Sequence, residues 1–284
     1  MRRLLPALLA LFLLPPALAR EFTVVAYNVE NLFDLDGQAG YEDYQASRYR
    51  PAHALTKLRT IARVLAQYEA GRGPEVVLLS ELEVDRTPGP TPPDYTALLA
   101  PFAGIPLADL LGPRFSPAVA DLPAEALLLH ALRDAGLTGY QVVVADAVSA
   151  PGATRPQEIR CAVLTRFPVR STRSHPTVDA RAILEVELEV DGARFRVFAN
   201  HWKSGASDPA TEPTRVENAR TLRRRLDELL ASDPQADLIL GGDLNSQYNQ
   251  RLRYPRMSPT GINDILGSQG DELAVRRPGP GLYN

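Results

Sequence analysis

The chain has 284 residues, 45% hydrophobic and 23% charged, with a formal net charge of −3 at pH 7. That length supports a sizeable core and one large domain, and the acidic balance argues against a broad, charge-driven grip on nucleic acid while leaving local basic patches open. Cys161 is the single cysteine, which excludes an intrachain disulfide and leaves stability to packing.

Residues 1–19, MRRLLPALLALFLLPPALA, join a basic start to an apolar run and end in Ala17-Leu18-Ala19. This is the pattern of a cleaved secretory signal, too short to span a membrane comfortably; a retained anchor is the alternative. The expected product is secreted or periplasmic, monomeric and without stable membrane association. Taking 19 residues and two arginines from the chain leaves residues 20–284, 265 in all, with a net charge of −5.

Residues 22–29, FTVVAYNV, read as a strand whose tip carries Asn28, with Glu30 and Asn31 behind it. Polar residues 34–53 read as a loop, and residues 55–68 repeat apolar side chains at helical spacing. After a Gly-Arg-Gly-Pro breaker, residues 75–82, EVVLLSEL, form a continuous apolar strand that delivers Glu81. A glutamate there suits a hard cation such as magnesium. It could equally enter solvent, and Glu83 and Asp85 compete for the same role.

Residues 86–123 are rich in proline, alanine and glycine and read as a long surface loop. A helix is expected over 123–135, with His130 a packing residue, and strands over 140–145 and 161–167, separated by a loop at 146–158. The alternation of RAILEVELEV (181–190) predicts a strand with one wet face, and Asp191-Gly192 a hairpin turn into 194–202. The hairpin brings Arg181 toward Asn200 and His201, where guanidinium, amide and imidazole would converge. A histidine or amide at a strand end can stabilise charge on a phosphate oxygen, although His201 could also be structural. Residues 212–232 form an amphipathic helix, with Arg223, Arg224 and Arg225 on a solvated face.

The run DLILGGDLNS (237–246) ends a buried strand in two glycines, which let the backbone turn or approach something closely. Alternation along a strand puts Asp243 and Asn245 on one face, able to hold a water, a metal or a phosphate oxygen. An ordinary turn is the competing reading.

In chain order, these strand ends carry an amide, a carboxylate, an amide with a histidine, and an Asp-x-Asn pair. The stretches VVAYNVENLF, VVLLSELE, RCAVLTRFPV, RAILEVEL with FRVFANHWKS, and LILGGDLNS resemble the endonuclease/exonuclease/phosphatase superfamily from Val24 to about Ser246. The resemblance implies a DNase I-like α/β fold, a four-layer α/β/β/α sandwich. It also implies Glu81 and Asn28 as metal-binding residues and Asp243 as the acid that orients or deprotonates the attacking water or protonates the leaving group. Asn245 is implied as the neighbour of Asp243 that positions phosphate, His201 as a phosphate-contacting histidine and Arg181 as a second phosphate contact, with the histidine and amides such as Asn200 stabilising the charge of the transition state. The implied cofactor is Mg2+, with Mn2+ or Ca2+ as alternatives. The implied reaction is hydrolysis of phosphodiester bonds, with nucleic acid as substrate and a lipid or small-molecule phosphodiester as the alternative.

One departure stands out. Members of the superfamily close with a Ser-Asp-His motif on strands that follow a Tyr-Asn step, and this sequence reaches Tyr283-Asn284 with no Asp-His pair. On this expectation the domain lacks its last strands and is either an impaired remnant that binds metal or phosphate without turnover, or one completed by something else.

Overall fold

The computed structural model describes residues 20–87, 94–148, 150–151 and 156–268. The expected leader at 1–19, the proline-rich run at 88–93 and the terminal residues 281–284 lie outside them. In chain order the described residues form β1 (Val24–Leu32), α1 (Pro51–Leu65), β2 (Val76–Glu83), α2 (Tyr95–Leu99), α3 (Leu107–Leu110), α4 (Pro117–Ala120), α5 (Ala124–Asp134), β3 (Gln141–Val144), β4 (Ile159–Thr165), β5 (Val169–His175), β6 (Ile183–Val190), β7 (Ala193–His201), α6 (Glu212–Ser232), β8 (Asp237–Asp243) and α7 (Gln250–Arg253).

The strands build two four-stranded sheets, ordered β1-β2-β4-β3 and β5-β6-β7-β8. Each has one parallel pair at an edge, β1 with β2 and β7 with β8, and is otherwise antiparallel. The sequence VVLL of β2 is continuously apolar because both of its faces are covered. Val77 and Leu79 pack under α1 and α5, whereas Val76 and Leu78 face the other sheet, with Val186, Val197 and Ala199. On the far side, Ile183, Phe198 and Trp202 pack against Ala219, Leu222, Leu226 and Leu229 of α6. The layers therefore run helix, sheet, sheet, helix, the expected α/β/β/α sandwich of DNase I-like type. Among the described residues, no helix is long and apolar enough to cross a membrane.

Asp191 and Gly192 join β6 to β7 with φ of 49° and 84°, the two left-handed residues a tight hairpin turn requires. His130 is buried in α5 with Nε2 2.8 Å from the carbonyl of Ile105, as a packing histidine would be. Cys161 is buried between the sheets, where burial pushes its thiol up to about 12.

Several expectations need correction. The 86–123 segment is not a bare loop, because α2, α3 and α4 lie in it and bury Leu99, Leu107, Leu110 and Val119. These helices have four or five residues, too few to show periodicity. β5, VRSTRSH, was not expected at all; it is an edge strand with little apolar content to mark it. The acidic face of β6 is not wet. Glu185 and Glu187 are buried, and Glu185 accepts two bonds from Arg225 on α6, from Nε at 2.8 Å and Nη2 at 2.9 Å. Arg225 therefore ties a helix to a sheet instead of lying on a solvated face.

Candidate active site

The site forms where β1, β2, β7 and β8 end together, and two glycines set how closely they meet. A Cβ on Gly241 would lie 2.7 Å from Leu78 Cδ1 in the opposing sheet. One on Gly242, whose φ is +118°, would lie 2.1 Å from the carbonyl oxygen of Asn200. Both positions need the missing side chain, the first for sheet-to-sheet contact and the second for strand pairing. Asp243 is thereby seated opposite His201 in the β7–β8 register.

Asp243 Oδ1 accepts the backbone N–H of Asn245 at 2.9 Å. Asn245 has left the strand, with φ of 46°, and its Nδ2 donates to the carbonyl of Trp202 at 3.1 Å. Strand alternation does not relate the two side chains, contrary to expectation; a turn beyond β8 does. Asn245 fixes the carboxylate through its backbone and braces the end of β7 through its amide.

Glu81 comes from a bulge. The β1–β2 and β2–β4 registers both shift here, and Glu81 takes φ of 68°, as Glu30 and Asn31 in β1 take 53° and 63°. Such positions re-aim side chains and cluster at functional sites. Asn28 lies between the two carboxylates, its Nδ2 donating to Glu81 Oε1 at 2.9 Å and to Asp243 Oδ2 at 3.0 Å. Its Oδ1 accepts the N–H of Glu30 at 2.8 Å. That bond orients the amide with its donor toward the two carboxylates and its oxygen toward the backbone of Glu30. Lys57 on α1, not singled out in the sequence, donates to the carbonyl of Glu30 at 2.8 Å and braces the same bulge. The other acids considered for Glu81's role lie elsewhere. Asp85 joins Asp34 and Asp36 in a separate group, and Glu83 is buried where it accepts the N–H of Asp34.

His201 Nε2 lies 3.6 Å from Glu81 Oε1. Burial and the positive charge of Arg181 outweigh the pull of Asp243 and hold the imidazole down at about 4, so it is neutral at pH 7. Arg181 is half-buried, and its guanidinium makes no hydrogen bond or ion pair among the described residues. Asn200 does not join the cluster as expected. It is fully buried, its Nδ2 donating to the carbonyls of Phe198 (3.0 Å) and Gly241 (3.1 Å) while its Oδ1 accepts Trp202 Nε1 at 3.1 Å. Its amide is spent on holding β7, β8 and Trp202 together.

Glu81, His201 and Asp243 place ligand atoms within 4.8 Å of one another. Two carboxylates and a neutral imidazole at that spacing fit a divalent cation. Arg181 beside them, unpaired among the described residues, fits a phosphate oxygen.

Residues 163–254 match the model of the Endonuclease/Exonuclease/phosphatase family. No curated protein matches the chain. Among solved structures it is similar to truncated Caenorhabditis elegans TDP2, at 16% identity over 78% of this chain and 61% of that one, with a TM-score of 0.41. It is also similar to an endonuclease/exonuclease/phosphatase family protein from Leptotrichia buccalis, at 13% identity over 86% and 71%, with a TM-score of 0.47. A third is a β-hairpin deletion mutant of beta toxin from Staphylococcus aureus, at 12% identity over 86% and 73%, also with a TM-score of 0.47. The chain spans less than two-thirds of the length of the C. elegans structure. These likenesses are too loose to carry an assignment, and the family match concerns the segment 163–254 alone. That segment runs from within β4 to just past α7 and contains Arg181, His201, Asp243 and Asn245. The match covers less than half of the chain, and over that segment the chain is similar to the Endonuclease/Exonuclease/phosphatase family.

Proposed function

We propose that this protein is an exported, divalent-cation-dependent phosphodiesterase acting on nucleic acid. The observation that carries the reading is the meeting of Glu81, His201 and Asp243 at three strand ends, with ligand atoms within 4.8 Å of one another and the guanidinium of Arg181 alongside. The family's description supports the nuclease reading, and the basic, then apolar residues 1–19 support export.

Magnesium, or manganese or calcium in its place, would be held by Glu81 with Asp243 in reach, and when bound it supplies Lewis-acid polarisation of a phosphoryl oxygen. The chain's own groups do the rest. The Asp243 carboxylate, fixed by Asn245 N–H and Asn28 Nδ2, is positioned to orient a water and accept its proton. Neutral His201 donates to a non-bridging phosphate oxygen as charge grows there. Arg181 neutralises the phosphate and fixes it for in-line attack.

The test is cleavage of supercoiled plasmid and of bis(p-nitrophenyl) phosphate with magnesium, with EDTA, and by Asp243→Ala. Magnesium-dependent turnover that disappears in the variant is expected. A folded protein with no turnover on either substrate would remove the reading.

A further inference from the structure

The chain leaves β1 through Asp34 and Asp36 and leaves β2 through Asp85, and each of these acids offers an oxygen that lies within 4.8 Å of the other two. Their other bonds go to loop backbone. Asp34 Oδ1 accepts the N–H of Asp36 at 3.1 Å, Asp36 Oδ1 that of Gln38 at 2.7 Å, and Asp85 Oδ1 that of Thr87 at 2.7 Å. Oδ2 of Asp34 and of Asp85 make no hydrogen bond among the described residues.

A further carboxylate reaches the group from within β2. Glu83 is 4% exposed; its Oε2 accepts the N–H of Asp34 at 2.7 Å, and the charges of Asp36 and Asp85 act on it. Its Oε1 has no partner among the described residues. Asp34 is itself 5% exposed. The Tyr49 hydroxyl, buried and also without a hydrogen-bond partner, lies within electrostatic reach of both. The arginines at hand are spent on other acids, Arg86 on Glu158 at 2.7 Å and Arg160 on Glu125 at 3.0 Å. Among the described residues no lysine or arginine pairs with Asp34, Asp36, Glu83 or Asp85. Carboxylates out of water are ordinarily paired or bound to a metal, and these have no pair.

We propose that Asp34, Asp36 and Asp85, with Glu83 behind them, bind a calcium ion that clamps the exits of β1 and β2. The donors are all oxygens, which favours a hard cation, and they come from two separate loops, which suits the loose six- to eight-fold shell of calcium better than the strict octahedron of magnesium. The site shares no residue with Glu81, His201 and Asp243, and it does not depend on the phosphodiesterase reading.

The experiment is calcium binding to metal-free protein by calorimetry, with melting in EDTA and in calcium, in an Asp243→Ala background that cripples the other centre. That background binds one calcium and melts higher with it. Asp85→Asn, added to it, keeps an acceptor for Thr87 N–H and weakens binding at least about tenfold, the scale on which ligand charge tunes calcium sites. It also reverses the order of melting. In EDTA the added substitution raises the melting temperature, because a repelling charge is gone, and in calcium it lowers it, because the clamp is lost. A residue that only supports the loop would lower both. If Asp85→Asn does not fold, Asp34→Asn, which keeps its acceptor for Asp36 N–H, shows the same reversal. No calcium binding by the Asp243→Ala background, or binding unchanged by Asp85→Asn, would overturn the proposal.

Discussion

Asn28 and Asp243 lie 215 residues apart in the chain, yet the amide of the first donates to the carboxylate of the second at 3.0 Å, across the gap between the two sheets. The same nitrogen bonds Glu81, so a single amide separates two acids that would otherwise repel. Asn28→Asp puts a third carboxylate in that place and leaves Glu30 N–H its acceptor. We expect a loss on the order of 1–3 kcal/mol in EDTA, and magnesium should restore the melting temperature more in the variant than in the wild type. Equal responses to magnesium would mean that the amide does not serve to screen the pair.

Among the described residues, Gly242 is the glycine whose added Cβ would fall nearest to backbone atoms. Its φ is +118° and a Cβ would fall 2.1 Å from the backbone of Asn200. Gly242→Ala should cost at least about 2 kcal/mol in urea unfolding. Gly136→Ala is the control, also left-handed at φ +79° but with nothing within 4 Å of the added carbon, and it should cost about 1 kcal/mol.

Two buried acid systems give stability a pH dependence of opposite sign. Burial and the repulsion of nearby carboxylates (Glu83 acting on Asp34; Asp36, Asp85 and Glu125 acting on Glu83) push Asp34 up to about 10 and Glu83 up to about 8, from ordinary values of 3.8 and 4.5. Their contribution is therefore full below about pH 4 and is lost as pH rises through 8 and then 10. Burial also raises Glu185, but its bonds to His175 and Arg225 outweigh this and hold it at about 2; its contribution is present above pH 4.5 and lost as pH falls toward 2. The urea midpoint should peak at mildly acidic pH and decline from there to pH 9. Glu83→Gln should flatten the alkaline limb and leave the acid limb alone. An unchanged alkaline limb would show that another group sets it.

Arg181 has no hydrogen-bond or ion-pair partner among the described residues, so removing its charge should leave stability within about 0.5 kcal/mol. Arg181→Met should nonetheless lower kcat/KM on bis(p-nitrophenyl) phosphate about ten- to a hundredfold, with Arg181→Lys recovering part of the loss. A lower melting temperature with unchanged kinetics would make the arginine structural.

Most of the layering was legible in the sequence because the sandwich buries its central strands on both faces. The runs VVLL and LIL read as strands from apolar content alone, and α6 from its stripe of Val216, Ala219, Leu222, Leu226 and Leu229. The strand tips at Glu81, His201 and Asp243 were legible for the same reason, since a polar residue ending an apolar run stands out. The orientation of Asn28 and the internal bonding of Asn200 were not, because each is decided by a backbone partner that spacing does not reveal, Glu30 N–H in one case and the Gly241 carbonyl in the other. β5 and the short helices of 95–120 escaped because edge strands and single turns owe their form to what they pack against.

Because Glu81 and Asn28 belong to one sheet while His201 and Asp243 belong to the other, the site has no existence within either layer. Its geometry depends on a few contacts at the seam, Leu78 against Gly241 and the Ser80 hydroxyl donating to the Asn200 carbonyl at 3.1 Å. Gentle heating or pressure that slides the layers by an ångström would scatter these residues while every strand kept its hydrogen bonds. Affinity for a cation would then fade at temperatures where circular dichroism still registers an intact protein, so the centre itself is the most sensitive gauge of how the two halves are docked.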